Sequence, residues 1–401
     1  MRKVKITMII IFCFLLFTGF LAPLLLQQKE YSVIENRELA QKPDFNLKKF
    51  LKGKYQTQYE SYLCDQIFLR DKWVSLSVMM QRVFGKKDIN NVYLGKDGYL
   101  LEKIKESDFD TGQVTENIKY LSSFLNDMLN EYGKKHVSCI MIPSKTLAMS
   151  NKLPRFVKAP NQEKVIEGLR EKLSDKDILI DLCDEMQKHQ NEYIYYRTDH
   201  HWTTLGAYYG YTAWAGATGQ ASVHDEEHYQ RKVIFNDFYG TTYNKVHVKV
   251  PADSVELFHI AGENKVLVEM DNDGVKYETM YFTDEALQGF NRYNIFFSKN
   301  TFKIEISKKT LTGRTLLLIK DSFANCFVPF LTEDYDHIIM IDYRYGKTPI
   351  GKIISEYEDI TDVLVMFNTE KFMQNSKLSR LAYTQKESKT MKKFNVEDFL
   401  D

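Results

Sequence analysis

Two short motifs hold the three side-chain types that acyl transfer needs. In Tyr195-Tyr-Arg-Thr-Asp199-His200-His201-Trp202-Thr203-Thr204, a carboxylate stands two residues before an imidazole. A tight turn can aim Asp199 and His201 into one pocket, leaving His200 to point elsewhere, either supporting that pair from behind or facing substrate. In Thr315-Leu-Leu-Leu-Ile-Lys-Asp321-Ser322-Phe-Ala-Asn-Cys, an apolar run ends in Asp-Ser and a helix is expected directly after. A serine at such a strand end sits beside the free amides of a helix N-terminus, which can stabilise an oxyanion. A serine nucleophile needs a histidine base, and that base needs a carboxylate to fix its tautomer. The chain order Asp, His, Ser is no obstacle, because geometry defines such a triad.

Each motif has a plainer reading. Ser322 or Asp321 can simply cap the following helix, and Asp199 with His201 can be a structural pair before the Thr204 helix. Thr203 and Thr204 already offer cap oxygens there, which weakens the second alternative. Three further residues are candidate substrate contacts. Arg344, after the run His337–Ile341, can bind a sugar or acyl oxygen, or pair with Asp342. Tyr243 can stack on a sugar or pack, and Asn368, after Val363–Phe367, can donate to an oxyanion. This chemistry calls for no metal and no cofactor.

The elements that must position these residues follow from periodicity. Helices are expected at 60–84, ended by Gly85, at 114–132, 162–173, 204–217, 323–331 and 350–357, and a hairpin turns at Lys96-Asp97-Gly98. Apolar strands are expected at 137–142, 178–182, 315–319, 337–341 and 363–367. Strands alternating with helices imply an α/β fold with a mostly parallel sheet, covered by helices on both faces. Residues 230–310 break the alternation with short β-like runs, such as 266–270 and 276–282, and read as an antiparallel insertion. Ligands of such sheets gather beyond the carboxyl ends of the strands, where both motifs fall.

Arg2, Lys3 and Lys5 precede an uncharged apolar run from Ile6 to Leu26. A run of that length spans the hydrocarbon core, and the basic flank keeps the N-terminus inside. It ends in Pro23-Leu-Leu-Leu-Gln-Gln without a small-residue cleavage site, so an anchor is expected over a signal peptide. The expected organisation is a cytoplasmic stub (1–5), an anchor (6–26), a membrane-proximal helical and hairpin region (27–112), a catalytic domain (113–375) and a peripheral tail (376–401). The catalytic domain would then be extracytoplasmic.

Lys plus Arg and Asp plus Glu number 54 each, so no basic stripe marks a nucleic-acid partner. The five cysteines, Cys13, Cys64, Cys139, Cys183 and Cys326, form no Cys-x-x-Cys pair and are expected to be mostly buried free thiols.

Thr198-Asp-His-His-Trp-Thr with Leu-Gly-Ala, together with Lys320-Asp-Ser-Phe-Ala-Asn, resembles the bacterial DHHW protein family. Glu35-Asn-Arg-Glu-Leu-Ala, Asn91-Val-Tyr-Leu-Gly, Phe238-Tyr-Gly-Thr, Pro329-Phe-Leu and Ile341-Asp-Tyr-Arg-Tyr extend the match from about residue 33 to 370. That family is similar to the SGNH-hydrolase-like domains of alginate O-acetyltransferases, where Asp-x-His also precedes the serine motif. The resemblance implies an SGNH-like fold, with Ser322, His201 and Asp199 as the triad of an O-acetyltransferase acting on an exported polysaccharide. It also implies a multispanning membrane-bound O-acyltransferase as acyl donor. Lys320 replaces the small residue of Gly-Asp-Ser, a departure that bears on local oxyanion geometry.

Competing classes are an esterase with the same triad, a non-catalytic glycan-binding subunit of an export complex, and a metal-dependent phosphoesterase. The last requires further aspartates at strand ends, and the chain's Asp271-Asn-Asp273 falls in the insertion instead.

Overall fold

All residues of the four central strands are buried except the half-buried His337 that opens one of them, so these strands read as nearly unbroken apolar runs. In a computed structural model, residues 5–14, 17, 28–32, 37–109, 111–246, 248–260, 266–271, 274–289, 291–309 and 312–383 are described. The chain divides into two units, Met1–Asn90 with Tyr243–Lys249, and Asn91–Thr242 with Val250–Asp401.

The larger unit is built on an eight-stranded sheet. Its strands are β1 (Val137–Ile142), β2 (Leu179–Asp181), β5 (Leu267–Met270), β6 (Lys276–Tyr277), β7 (Lys303–Ser307), β8 (Thr315–Lys320), β9 (His337–Ile341) and β10 (Asp362–Asn368). A separate antiparallel pair, β3 (Tyr229–Phe238) and β4 (Asp253–Ile260), precedes β5 in the chain. The sheet order is β6-β5-β7-β9-β8-β10-β1-β2. The five strands from β9 to β2 are mutually parallel, and β7, β5 and β6 extend the sheet antiparallel.

Alternate residues of each strand serve different cores. Ile140, Leu316, Leu318, Met340 and Met366 face a cluster with Trp202, Tyr211, Trp214 and Phe327. Cys139, Leu317, Ile319, Ile339 and Val365 face Leu121, Phe124, Leu125 and Met128 of helix Gly112–Tyr132. Helices thus cover both faces, as periodicity predicts. Thr111 and Thr203 cap the two longest helices of this unit by accepting from Val114 N–H and Gly206 N–H.

Several expectations change. The expected insertion divides in two: β3 and β4 leave the sheet as a hairpin, whereas β5 to β7 join it. The run 276–282 holds only the two-residue β6 and gives way to helix Thr283–Gln288. The expected helix 323–331 is a 3-10 turn, Ser322–Cys326, followed by helix Val328–Leu331. Only Cys139 and Cys326 are buried among the five free cysteines.

In the smaller unit, the expected helix 60–84 is two helices, Lys54–Asp65 and Arg70–Val83. Leu69 adopts φ 57° in the break, and the Asp65 carboxylate and Gln66 amide bond to Ala40 and Lys29, which draws the chain out of helical continuity. Residues 5–14 are helical, while 15–16 and 18–27 of the expected anchor lie outside the described residues. Among the described residues, no helix is long and apolar enough to cross a membrane. The tail expected at 376–401 is described only to residue 383.

Candidate active site

Parallel strands β8, β10 and β1 end at one edge, where the segments after β8 and β1 meet the 196–201 loop and the end of β10 bonds to Asp321. Asp321, just past β8, accepts from Phe323 N–H through its Oδ1 at 2.9 Å and from Asn368 N–H through its Oδ2 at 2.8 Å. Asp321 is therefore the helix cap, and Ser322 is left to face His201.

The two motifs do converge. His201 Nε2 lies 2.8 Å from Ser322 Oγ, and His201 Nδ1 lies 2.6 Å from Asp199 Oδ1. His201 N–H also donates to Asp199 Oδ1 at 3.0 Å, so the two-residue spacing is an Asx-type turn. With the carboxylate taking Nδ1–H, the ring keeps Nε2 as the acceptor that faces the serine hydroxyl. Two cross-links fix this meeting of loops. Trp202 Nε1–H donates to Phe323 O at 3.0 Å, and the Tyr293 hydroxyl donates to Ser322 O at 2.9 Å.

The Asp199 carboxylate is buried, and it accepts four hydrogen bonds: two from His201, one from Thr241 N–H and one from the Thr241 hydroxyl. Burial alone would raise its pKa. The neighbouring His200 and His201 rings and these hydrogen bonds outweigh burial and hold the carboxyl well below its usual range. Since the Thr241 hydroxyl proton goes to Asp199, its oxygen accepts from His200 Nδ1–H, 2.7 Å away. Burial and the adjacent His201 push His200 well below the usual imidazole range. His200 is thus a neutral ring whose Nε2 has no hydrogen-bond partner among the described residues. It lines a small polar cleft with Phe323, Asn368, Ser144, Lys145 and Glu370.

The 196–201 loop is gripped from both sides by buried charges. Lys145, directly after the Ser144 cap that follows β1, points its ammonium at the carbonyls of Tyr196, Arg197 and Asp199, the last at 2.6 Å. Asp253, at the start of β4, accepts from the N–H groups of Arg197 and Thr198, both at 2.7 Å. Gly240, after β3, packs so closely that a Cβ there would lie 2.3 Å from Asp199 Cβ.

Tyr293 stacks on His201 with centroids 3.9 Å apart and planes at 9°. Its negative π-face lies over the ring that must become imidazolium during proton transfer. Lys320 is also fully buried, and its Nζ donates to Asn325 Oδ1 at 2.8 Å, within 3.8 Å of Asp342 Oδ2. Burial lowers its pKa to about 8, against the pull of Asp342. The lysine in place of a small residue therefore braces the serine turn from below.

The remaining sequence candidates fare differently. Arg344 is paired with the buried Asp342 through Nε and Nη2, so its ion-pair alternative is the one realised. The Asn368 amide donates to the carbonyls of Ile142 and Pro143, so its donors are spent on backbone rather than left for an oxyanion. Tyr243 begins the short helix Tyr243–Val246 of the smaller unit. The Ser322 N–H, by contrast, has no hydrogen-bond acceptor among the described residues. Sequence reasoning missed Thr241, Asp253, Lys145 and Tyr293. Only Gly240, inside the Phe238-Tyr-Gly-Thr string, carried a local signal, since a glycine there permits close approach.

Three outcomes follow from this geometry. Gly240→Ala should displace Asp199 and slow labelling of Ser322 by a fluorophosphonate about 100-fold or more, and a wild-type rate would contradict the packing. Tyr293→Leu, which removes both stack and hydroxyl, should slow the same reaction about tenfold or more, and Tyr293→Phe should lose less. A folded His200 resists protonation, so as pH falls below about 6.5 the unfolded state binds a proton first and stability drops. In melting curves from pH 7.5 to 5, His200→Gln should therefore show a shallower fall in Tm than wild type.

Known structures share this architecture. A DHHW family protein from Eubacterium siraeum superposes with a TM-score of 0.59 at 22% identity, over 73% of this chain and 95% of that one. Bacillus cereus PatB1 gives a TM-score of 0.59 at 20% identity, over 73% of this chain and 99% of that one. These identities speak for the fold alone. Among curated proteins none matches this chain. The family model described as DHHW protein matches residues 118–341, more than half of the sequence, and that stretch holds both the Asp199-His-His201 and the Asp321-Ser322 motifs. The chain belongs to the DHHW protein family.

Proposed function

We propose that this protein is an O-acyltransferase, moving acetyl through a serine acyl-enzyme onto a hydroxyl of a cell-surface or exported polysaccharide. The observation that carries this reading is the unbroken chain from Ser322 Oγ through His201 to Asp199, at 2.8 and 2.6 Å. Ser322 Oγ attacks the carbonyl carbon of the acyl donor as its proton passes to His201 Nε2. Asp199 holds the imidazolium, and the Ser322 N–H faces the developing oxyanion. Collapse expels the leaving group, which takes the proton from His201. A sugar hydroxyl then attacks the acyl-enzyme with His201 as base, giving the sugar ester and restoring Ser322.

Transfer over hydrolysis is supported by enclosure. Ser322 and His201 are 3% and 5% exposed, so bulk water has little access to the ester. The neutral His200, with Nε2 left as an acceptor at the adjoining cleft, suits an incoming hydroxyl. Bacillus cereus PatB1 has also been solved with a sulfonyl adduct.

The apolar run Ile6–Leu26 after Arg2, Lys3 and Lys5 supports a single-pass anchor with the N-terminus inside and the catalytic unit outside. A one-span enzyme of this kind takes its acyl group from a multispanning membrane-bound O-acyltransferase.

Incubating the protein with an activated acetyl ester, with and without acceptor glycan, separates the possibilities. Acetylated glycan formed at the expense of free acetate is the expected product. Ser322→Ala and His201→Ala should each lower the rate by about 10⁴-fold or more. Acetate release indifferent to acceptor would make the protein an esterase. Glycan acetylation unchanged in Ser322→Ala would end the acyl-enzyme mechanism.

A further inference from the structure

Away from the triad, the structure gathers a second set of ligand-type side chains that the acyl chemistry does not use. His224 and His228 lie in the segment joining helix Thr204–Thr218 to β3, and Glu333 lies in the turn leading into β9. His228 Nε2 stands 3.0 Å and His224 Nε2 3.7 Å from the same oxygen, Glu333 Oε2. The two imidazoles are parallel, with centroids 4.0 Å apart and planes at 10°. All three ligand atoms lie within 4.8 Å of one another.

We propose that His224, His228 and Glu333 form a structural binding site for a zinc-class divalent cation, with water completing the coordination. A tetrahedral ion with bonds of about 2.0–2.2 Å holds its donors about 3.3–3.5 Å apart. The two Nε2-to-Oε2 separations bracket that spacing. Two imidazole nitrogens and one carboxylate oxygen are the donor set that borderline cations such as Zn²⁺ take. A hydrogen bond alone accounts for less of the geometry. One carboxylate oxygen satisfies His228, and His224 Nε2 then points at that oxygen from beyond bonding distance. An ion between them takes both lone pairs in the ring planes, so binding turns the two imidazoles out of their parallel stack and leaves each ring proton on Nδ1. Asp225 and Glu227, between the histidines in sequence, add negative charge to the segment.

The site's place in the fold gives the ion its role. β8 and β9 are parallel, Ser322 follows the end of β8, and Glu333 precedes the start of β9. The two sites therefore lie at opposite edges of the sheet. The cation would tie the segment before the β3–β4 hairpin to the main sheet. That tie reinforces a contact already present, in which Ser222 N–H donates to Asp334 at 3.0 Å. The same hairpin carries Gly240 and Asp253, so the ion would steady the acidic half of the triad from a distance.

The test uses the full chain in detergent, without a polyhistidine tag and stripped with chelator, melted with and without Zn²⁺. At about a hundredfold excess over Kd, Tm should rise by about 5 °C. His224→Ala/His228→Ala should abolish the rise, and His201→Ala should keep it. No rise in wild type overturns the site. A rise kept in the double variant, or lost in His201→Ala, places the ion at Asp199-His200-His201 and overturns it equally. Should the double variant not fold, Co²⁺ added to wild type and Glu333→Gln decides. Visible absorption of a tetrahedral Co²⁺ site that weakens in Glu333→Gln supports the site, and its absence from wild type refutes it.

Discussion

A buried carboxylate, Asp199, with no lysine or arginine bonded to it among the described residues, is the constraint around which this edge of the sheet is arranged. Transfer of an ionised carboxylate out of water is costly unless hydrogen bonds replace the lost hydration. Asp199 receives those bonds from His201 and from Thr241, both by backbone N–H and by side chain. Because the ring of His201 is one of the donors, keeping Asp199 charged and orienting the base are the same event. Ser322 then needs only to arrive at Nε2, and the Trp202 and Tyr293 cross-links bring its turn there.

The same requirement explains why the departures from the parallel sheet matter. Thr241 and Gly240 follow β3, Asp253 opens β4, and Tyr293 lies between β6 and β7. None belongs to the parallel α/β framework, yet all bear on Asp199, His201 or their loop. Lys145, from the framework, supplies the opposite charge beneath the loop carbonyls. A positive group on the carbonyls and a negative group on the N–H donors hold the loop between them, so neither buried charge is left unpaired.

The sequence made the framework legible because its signals are local. Strands such as Thr315–Lys320 read as apolar runs, caps at Thr111 and Thr203 announce helices, and Asp199-His-His201 has a turn's spacing. The supports of the site carry no such signal, since Thr241 meets Asp199 and Asp253 meets Thr198 only after the hairpin has folded back. At Asp321, capping a turn and presenting a serine go together. The aspartate caps the turn, and in doing so leaves the neighbouring serine to the histidine. Arg344 and Asn368 sit at strand ends as expected, but their donors go to Asp342 and to backbone carbonyls. Position along a strand told where they lie, not what they hold.

If the convergence of these loops makes Ser322 a nucleophile, an electrophilic serine reagent should find it. Mapping a fluorophosphonate adduct by tandem mass spectrometry, on wild type and on Asp199→Asn, addresses it directly. A single adduct is expected on Ser322, formed at neutral pH and slowed by about 10⁴-fold when Asp199 no longer fixes the imidazole. An unmodified Ser322 in folded wild-type protein, or labelling equally fast in Asp199→Asn, would contradict it.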